Sequence, residues 1–468
     1  MTELRLPPGP PPVKNALQGL ILAYNVVRLG PLNLLNNMMR GYGDIAAFNM
    51  LGVQNIWSIN AEFVGEVAVK QAANFRKDND YTDRKKGLAR FLGEGLLTSN
   101  GDFWKRQRKL VAPSLHAKRI EAYAQTMVGY TQQQITPWRD GQHLDISLEM
   151  SALTMRIVAK SLFNADVDHV IEMVHRSMSA IQASAISGQT SPLPSWIPTP
   201  TELRARRAIK DLNEFVYQTI TEWHKTKEDK GDLLSMLLLA EDDEGKPMSD
   251  EQARDEVLTL FLAGHETTAN TLNWTWTLLA QNPDKQAKLH AELDSVLQGR
   301  APTLADLRQL PYTEMVIKES MRLYPPAWSF SREAINATQV AGYDIPAAAV
   351  CSIFTYGLHH NPKYWGADVE DFRPERFSAE NEDKIIKYAY LPFGAGPRVC
   401  IGNSFAMMEA QLLLATIAQT WQPRLAAGQT VAMLPLITLN PKGGLPMTLQ
   451  KRHAVYAPAE HEMDAVEA

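Results

Sequence analysis

The segment Phe393-Gly394-Ala395-Gly396-Pro397-Arg398-Val399-Cys400-Ile401-Gly402 places one cysteine in a glycine-rich loop. An apolar, helix-favouring run from Asn403 to Trp421 follows directly. The thiolate of Cys400 would face the positive end of that helix, and a bound cation would lower its pKa further. The glycines let the backbone turn tightly around the sulfur, so that amide hydrogens can point at it. The segment therefore predicts that Cys400 is a metal ligand.

An isolated cysteine is more often a small buried hydrophobe without a chemical role, and that interpretation competes here. The context of Cys400 argues against it, because the pattern Phe-x-x-Gly-x-Arg-x-Cys-x-Gly resembles the haem-ligand signature of the cytochrome P-450 superfamily at every fixed position. The resemblance implies that Cys400 is the axial ligand of a haem iron. It also implies that Phe393, Arg398 and Gly402 help to bind the haem, with Arg398 on a propionate.

Composition limits the class of protein. No linker-like composition interrupts the middle of the 468 residues, so we expect one unit, residues 1–468. With 47 basic and 52 acidic residues, the net charge of -5 argues against nucleic acid as the main partner. The two cysteines, Cys351 and Cys400, exclude a disulfide framework and fit a reducing compartment. Cys351 lies in an apolar run and is expected in the core.

The sequence predicts neither a membrane-spanning helix nor a secretory signal. No stretch approaches the roughly 20 consecutive apolar residues that a membrane-spanning helix needs, and no secretory pattern is present. We therefore expect a soluble, cytoplasmic protein without a transmembrane anchor, whose N-terminus is native or truncated. Residues 1–14 predict a proline-rich extended segment, and residues 457–468 predict a disordered acidic tail.

Hydrophobic spacing predicts a mainly α-helical chain with a small β-rich portion. Helical spacing covers residues 15–40 and most of 62–296, with loops at 76–100 and 187–200. The proline-rich part of the second loop, Pro192–Pro198, is either an ordinary connector, which we favour, or part of a substrate entrance. Strand patterns predict a hairpin of Ile45–Phe48 and Ile56–Ile59 with its turn at Leu51–Gln54. Further strands are predicted at Val340–Ile345, Val350–Tyr356, Leu436–Leu439 and Met447–Leu449.

A long helix is predicted from a capping box at Ser249 to Gln281, which gives it a length of about 48 Å. Its middle reads Ala263-Gly264-His265-Glu266-Thr267-Thr268, where the glycine and the threonines favour a local distortion. A mere kink with a solvated Glu266 would explain these residues. The string also resembles the oxygen-activation motif of the cytochrome P-450 superfamily. That resemblance implies that Ala263 and Gly264 lie against the haem and that Glu266 and Thr267 form an acid–alcohol pair that relays protons.

Trp104 and Arg108 lie four residues apart on one face of a predicted basic helix that opens at Gly101. A solvated basic face is the default interpretation of such a run. The resemblance implies instead that Trp104 and Arg108 bind a haem propionate, while the other basic residues of the helix face an acidic redox partner.

Glu319 and Arg322 lie one helical turn apart, which on a surface is worth only about 0.2–0.5 kcal/mol. The resemblance implies that the pair is buried behind the haem and joined by Arg376, so that these three residues support the haem core. It also implies that Arg332 binds a propionate.

Substrate residues are predicted only as zones: residues 82–98, 180–196, 261–267, 327–330 and 437–439. The candidates named within them are Phe261, Ala327, Trp328 and Ile437. Because these zones are mostly apolar, we expect a lipophilic substrate such as a fatty acid, alkane or terpenoid.

The resemblance implies a haem b monooxygenase of the P-450 fold that inserts one atom of O2 into this substrate. The sequence shows no flavin- or iron–sulfur-binding region, so we expect electrons from a separate ferredoxin or flavodoxin with an NAD(P)H-dependent reductase. The alternatives are a peroxide-driven hydroxylase, a haem-thiolate isomerase and a haem sensor without turnover. None of these needs the pair Glu266–Thr267.

Overall fold

The computed structural model describes residues 4–452 except 86, 116, 164–176, 178–179, 182–183 and 185–198. The predicted connector at 192–198, most of the zone 180–196 and the predicted tail lie outside the described residues. Helices are numbered over the described part as follows: α1 Ala16–Leu29, α2 Pro31–Tyr42, α3 Ala61–Gly65, α4 Asn79–Thr82, α5 Ala89–Leu92, α6 Gly101–Val111, α7 Ala117–Ile135, α8 Ile146–Phe163, α9 Pro200–Thr226, α10 Leu233–Leu239, α11 Asp250–Gln281, α12 Pro283–Leu297, α13 Pro311–Leu323, α14 Thr355–His359, α15 Pro362–Trp365, α16 Ala379–Glu382 and α17 Asn403–Thr420.

The strands are short and fall into small sheets. Their bounds are β1 Ile45–Met50, β2 Val53–Ser58, β3 Phe75–Arg76, β4 His143–Asp145, β5 Phe330–Ala334, β6 Thr338–Val340, β7 Tyr343–Ile345, β8 Val350–Ile353, β9 Trp421–Arg424, β10 Met433–Pro435, β11 Leu439–Pro441 and β12 Pro446–Lys451. The described residues include a five-stranded sheet in the order β1-β2-β8-β5-β3 and a three-stranded sheet β4-β12-β9. The predicted fold class, mainly helical with a small β portion, is confirmed.

The long helix α11 forms the spine of the molecule. It begins where the sequence predicts, because the Ser249 hydroxyl and the Gln252 side chain cap each other's backbone amides. Trp274 and Trp276 are buried on it, so the helix is enclosed by protein in its C-terminal half. The distortion expected at residues 263–268 does not interrupt the helix. The hydroxyls of Thr267 and Thr268 do donate to the carbonyls four residues back.

The largest described core cluster joins α7, α8, α11, α13 and α17. The run Leu412 to Ile417 of α17 is almost completely buried, and each such leucine contributes about 1.5–3 kcal/mol on folding. This packing holds the N-terminus of α17, and with it the Cys400 loop, against α11 and α13.

The β predictions are confirmed at the N-terminal hairpin and wrong in three places. The predicted strand Val340–Ile345 belongs to the β6–β7 hairpin, whose turn residues Ala341 and Gly342 both have positive φ. β8 ends at Ile353 instead of Tyr356, because its neighbour β2 ends at Ser58 and no partner continues the ladder. The predicted strand Leu436–Leu439 is largely the tip of the β10–β11 hairpin. There the Leu436 amide donates to the Thr438 carbonyl at 2.9 Å and closes the turn, and the apolar side chains face a cavity instead of a sheet.

Cys351 is fully buried in β8, as predicted for a core residue. Across the ranges given above, no helix is both long enough and apolar enough to cross a lipid bilayer.

Candidate functional site

A cavity of about 1600 Å³ separates the middle of α11 from the Cys400 loop. Ala263, Gly264 and Thr267 lie on one side of it, and Cys400 lies on the other. The remaining predicted residues on its wall are Glu266, Ala327, Trp328, Arg332, Phe393, Arg398, Gly402 and Ile437. Residues that lie far apart in the sequence therefore meet around one space.

The Cys400 loop is held in a tight conformation. The Cys400 amide donates to the Phe393 carbonyl at 2.9 Å. Gly396 has φ +69, and a Cβ there would lie 1.9 Å from the carbonyl oxygen of Ala68, so only glycine fits this close approach. The Cys400 side chain is accessible from the cavity.

The thiol of Cys400 is not a ready thiolate in the chain alone. Burial raises its pKa, while the Gly402 amide and the positive charge of Arg108 act in the opposite direction. The cavity is thus open to a ligand but enclosed by protein, which explains why the side chain is both accessible and desolvated. A metal cation bound in the cavity would supply the charge that thiolate formation requires.

Four cations gather beside the cavity, and the Asp78 carboxylate acts on two of them, Lys77 and Arg332, raising their pKa values less than burial lowers them. Lys77 and Arg332 are buried, and Arg108 and Arg398 are half-buried. Burial lowers the pKa of each, and the neighbouring positive charges lower the pKa values of Lys77 and Arg398 further. Within the part of the chain that the structure describes, none of the four forms an ion pair. Such a cluster favours an anionic ligand with more than one carboxylate.

Trp104 and Arg398 support each other on this side of the cavity. The Arg398 guanidinium lies 3.9 Å from the centroid of the Trp104 ring, and that of Arg108 lies 5.8 Å from it. Arg398 also donates to the Ser99 carbonyl at 2.9 Å and to the Asn100 side chain at 3.0 Å. These contacts fix its position without cancelling its charge.

Sequence reasoning missed Lys77 and Tyr81. The Lys77 ammonium lies 3.8 Å from the centroid of the Tyr81 ring, and both residues line the cavity. Burial raises the pKa of Tyr81 to about 12, so its hydroxyl stays a neutral donor. Neither residue stands in a recognisable local pattern. The fold brings them to Arg332, more than 250 positions away in the sequence.

On α11, the hydroxyl of Thr267 faces the cavity and donates to the Ala263 carbonyl at 2.5 Å. The backbone of Gly264 forms part of the cavity wall. A Cβ on Gly264 would lie 3.2 Å from Val158 of α8, so the glycine also permits close packing of α8. A flat ligand can approach the helix at Ala263, whose methyl group is the smallest side chain on this face.

Glu266 is buried, not solvated. Its carboxylate accepts hydrogen bonds from the Thr438 hydroxyl and, at 3.4 Å, from the Asn440 side chain. The Asn270 side chain donates in turn to Thr438 at 3.1 Å and to Asn440 at 3.0 Å. This polar network links α11 to the β10–β11 hairpin. The sequence reasoning did not find it, because Thr438 and Asn440 lie about 170 positions from Glu266.

Glu319, Arg322 and Arg376 form a buried network. Arg322 pairs with the Glu319 carboxylate through two hydrogen bonds of 2.7 and 2.8 Å, and Arg376 approaches the same carboxylate at 3.3 Å. The carbonyls of His359 and Trp365 accept from the two guanidinium groups at 2.9 Å each. All three side chains are at most 5 % exposed, so the surface-pair interpretation is wrong.

Of the four substrate candidates, Ala327, Trp328 and Ile437 line the cavity and Phe261 does not. The ring of Phe261 packs in a separate apolar cluster with residues of α9 and α10. On the same helix, Leu260, Leu262 and Ala263 line the cavity, whereas Phe261 between them does not. The prediction for Phe261 is therefore wrong.

Three of the four basic residues of α6, Lys105, Arg106 and Lys109, form ion pairs within the chain. Lys105 pairs with Asp102 at 2.8 Å, Arg106 with Asp242 at 2.6 Å and Lys109 with Asp243 at 2.5 Å. The sequence reasoning left these cations free for an acidic redox partner. The acidic loop that follows α10, residues 240–249, contributes Asp242 and Asp243 and covers part of this face.

The arrangement fits a haem. The cavity offers a thiol on one wall, a flat approach at Ala263 on the other and unpaired cations that would neutralise two propionates. These features define the class of haem-thiolate proteins.

The comparisons with known proteins give the family. The family model described as "Cytochrome P450" matches residues 7–445, and this chain belongs to that family. It is 39% identical over 430 residues to cyclooctatin synthase of Streptomyces melanosporofaciens, covering 90% of this chain and 92% of the relative. It is also 39% identical over 365 residues to cyclooctat-9-en-7-ol 5-monooxygenase of the same organism, covering 77% and 79%. Pentalenene oxygenase of Streptomyces avermitilis is 28% identical over 411 residues, covering 87% and 90%.

The expected class is thereby confirmed. The chain is a cytochrome P450 monooxygenase with a haem cofactor, and it uses O2 and electrons from redox partners.

Proposed function

We propose that this enzyme hydroxylates or epoxidises a terpenoid in the cavity between α11 and the Cys400 loop, with haem b as its cofactor. The observation that carries the proposal is the cavity itself, which has apolar walls and contains Cys400 and Thr267 on opposite sides. The names of the relatives support the substrate class, since cyclooctat-9-en-7-ol and pentalenene are terpenoids. The match to one family model over residues 7–445 supports a single haem domain.

Each residue of the site has a role that its surroundings allow. Cys400 would bind the iron, and Lys77, Arg108, Arg332 and Arg398 would hold the propionates. A bound haem supplies the activation of O2, one atom of which enters a C–H or C=C bond of the substrate while the other leaves as water. The Thr267 hydroxyl can pass a proton into the cavity, since it is exposed there and has one fixed acceptor.

Glu266 would act with Thr267 from the same wall of the cavity. Its carboxylate is held in place by the hydrogen bonds from Thr438 and Asn440. The apolar side chains of Ala327, Trp328 and Ile437 exclude water and orient a lipophilic substrate. The Trp328 indole donates to the Leu436 carbonyl at 2.9 Å, which fixes its orientation.

We propose a ferredoxin or flavodoxin with an NAD(P)H-dependent reductase as the electron source, and the cytoplasm as the location. Both cysteines are free, which supports a reducing compartment.

The test has two parts. A panel of terpenoids, fatty acids and alkanes is first scored by the shift of the haem absorption band as iron-bound water is displaced. The best compounds are then incubated with O2, NADPH and surrogate reductases, or with peroxide alone. We expect terpenoids to give the largest shifts and oxygenated products to need the reductase. Products with peroxide alone would favour the peroxide-driven alternative, and binding without any product would favour a sensor.

A further inference from the structure

We propose that Thr438 is a positioning residue for Glu266 and that it makes proton delivery depend on how the substrate fills the cavity beside Ile437. Thr438 belongs to the tip of the β10–β11 hairpin, residues 436–438, whereas Glu266 lies on α11. The inference deepens the function proposed above and rests on it, because it concerns the acid of the pair Glu266–Thr267.

The hydrogen-bond directions around Thr438 follow from its own backbone. The Asn440 side chain lies 3.0 Å from the Thr438 carbonyl, and because a carbonyl only accepts, the nitrogen of Asn440 has to face it. The Asn440 oxygen then faces the Asn270 side chain at 3.0 Å, so Asn270 presents its nitrogen there. One backbone carbonyl therefore determines the orientation of both amides.

The two amides determine what the Thr438 hydroxyl does. The nitrogens of Asn270 and Asn440 donate to its oxygen at 3.1 and 3.0 Å. A hydroxyl group has two acceptor lone pairs and one proton, so both lone pairs are occupied and the proton is left for the third neighbour. That neighbour is Oε1 of Glu266, to which Thr438 donates.

The two oxygens of Glu266 consequently have different tasks. Oε1 accepts the hydrogen bond from Thr438, so Glu266 releases and regains a proton at Oε2. Thr438 and Glu266 are both buried, and a buried acceptor that loses its donor is costly because water does not replace it. The Thr438 hydroxyl thus determines which way the carboxyl is turned, which a proton relay with Thr267 requires.

The tip that carries Thr438 is also part of the cavity wall. Leu436, Ile437 and Thr438 line the same cavity as Glu266 and Thr267. Within the described ranges, β10 and β11 form a sheet of two strands with three paired positions. A hairpin of that size is at best marginally stable by itself, so its neighbours decide where the tip lies.

The protein anchors the tip on both flanks. On one flank, the Leu436 carbonyl accepts from the Trp328 indole at 2.9 Å. On the other, the Leu439 amide donates to the Pro326 carbonyl at 3.0 Å, and the Leu439 carbonyl accepts from the Trp274 indole at 2.8 Å. The residues between these anchors depend on contacts inside the cavity.

A substrate supplies those contacts. The apolar side chain of Ile437 lies between the two anchored positions and lines the cavity. A substrate that packs on Ile437 holds the adjoining Thr438 in place to donate to Glu266, whereas a substrate too small to reach Ile437 does not. Thr438 therefore links the shape of the substrate to proton delivery.

The first experiment measures product per NADPH for the haem-loaded full chain with O2 and a surrogate reductase, on the terpenoid that gives the largest absorption shift. Thr438→Val keeps the shape of the side chain and removes the hydroxyl, so this yield should fall about threefold to tenfold. Thr438→Ser keeps the hydroxyl and should retain at least about half of the parent yield. The dissociation constant and peroxide-driven product formation should change by at most about twofold in both variants.

Crystal structures give a readout that does not depend on turnover. The Glu266 carboxyl should have the same orientation in the parent and in Thr438→Ser. In Thr438→Val it should turn away or adopt more than one orientation, because Oε1 has lost the hydroxyl donor.

Ile437→Ala tests the link to the substrate. At saturating substrate it should lower product per NADPH about threefold in the parent and have little further effect in Thr438→Val, since both changes act through one hydroxyl. The matched control is Thr416→Val, which removes a buried hydroxyl that donates to the Leu412 carbonyl at 2.6 Å and should leave the yield unchanged. Asn440→Leu removes the amide that directs the Thr438 proton and should lower the yield about twofold to threefold. It serves as the test if Thr438→Val does not fold.

A Thr438→Val variant with the parent yield and an unchanged Glu266 carboxyl would overturn the inference. So would a Thr438→Ser variant that performs no better than Thr438→Val. Independent losses in the Ile437→Ala, Thr438→Val double variant would show that the substrate does not act through Thr438. A parent that forms no product with NADPH and reductase would contradict the proposed function itself, and the inference would fall with it.

Discussion

At the residue scale, the fold and the cofactor site depend on buried charged side chains that only a partner inside the protein can neutralise. Glu319 is the clearest structural case, because two arginines and the Arg373 amide, at 3.0 Å, share one fully buried carboxylate. At the cofactor site, a bound haem would supply the partner, with its iron for Cys400 and its propionates for Lys77, Arg108, Arg332 and Arg398. The linear motifs revealed Glu319 and Cys400. They could not reveal Lys77, whose role depends only on where the fold places it.

We predict that Glu319→Gln destabilises the protein strongly. The substitution leaves Arg322 and Arg376 buried without a counter-charge, which costs about 3–5 kcal/mol. The free energy of unfolding from urea titration checks this value. Glu314→Gln on the same helix is the control, because its pair with Lys318 is partly exposed and should cost about 1 kcal/mol or less. Equal losses in the two variants would contradict the buried network.

We predict that Thr267→Ala uncouples electron use from product formation. The cavity loses the hydroxyl that can move a proton at this position, so product per NADPH should fall about tenfold to a hundredfold. Peroxide-driven product formation, measured on the same substrate, should change little. Thr275→Ala removes an equivalent buried hydroxyl two turns further along α11 and should leave both yields unchanged. An unchanged yield per NADPH in Thr267→Ala would remove this residue from the mechanism.

At the element scale, α11 is more than a wall of the cavity, since its N-terminal half holds the loop between α5 and α6. The Glu94 amide donates to Asp255 at 2.7 Å, and the Leu96 amide donates to Glu256 at 3.0 Å. The start of α11 was predictable from its capping box, which acts locally. The loop contacts were not, because they join residues about 160 positions apart.

Glu256 makes this region sensitive to pH. Burial raises its pKa to about 8 in the folded protein. In the unfolded chain the carboxyl ionises near pH 4.5, so unfolding is favoured increasingly between about pH 4.5 and 8, by at most about 1.4 kcal/mol per pH unit. We expect Glu256→Gln to flatten the loss of stability between pH 5 and 8. Urea titrations across that range check it, with the exposed Glu251→Gln as control. An identical pH slope in parent and Glu256→Gln would show that Glu256 is ionised in the folded protein.

The acidic loop after α10 sets the charge of the α6 face. Because Asp243 neutralises Lys109, an acidic ferredoxin has to compete for that cation. We predict that Asp243→Asn lowers the KM for an acidic ferredoxin by about two- to fivefold at low salt. Peroxide-driven turnover should stay unchanged. A higher KM in the variant would mean that the loop itself attracts the electron donor.

At the scale of the whole molecule, the sequence predicted the helical architecture, the N-terminal hairpin and the order of the site motifs. These features rest on local periodicity and on short motifs that carry their own chemistry. It failed at Phe261 and at residues 436–439, and it did not reveal that three cations of α6 are paired within the chain. In each of these places a tertiary neighbour decides which way a side chain points or whether a charge is paired.

The central claim is that the sulfur of Cys400 binds haem iron in this cavity. The most direct measurement is the absorption spectrum of the ferrous, haem-loaded protein under carbon monoxide, for the parent and for Cys400→Ala. The account predicts the red-shifted band of thiolate ligation in the parent and its loss in the variant, while Cys351→Ala keeps the band. A parent without that band, or a Cys400→Ala variant that retains it, would contradict the account.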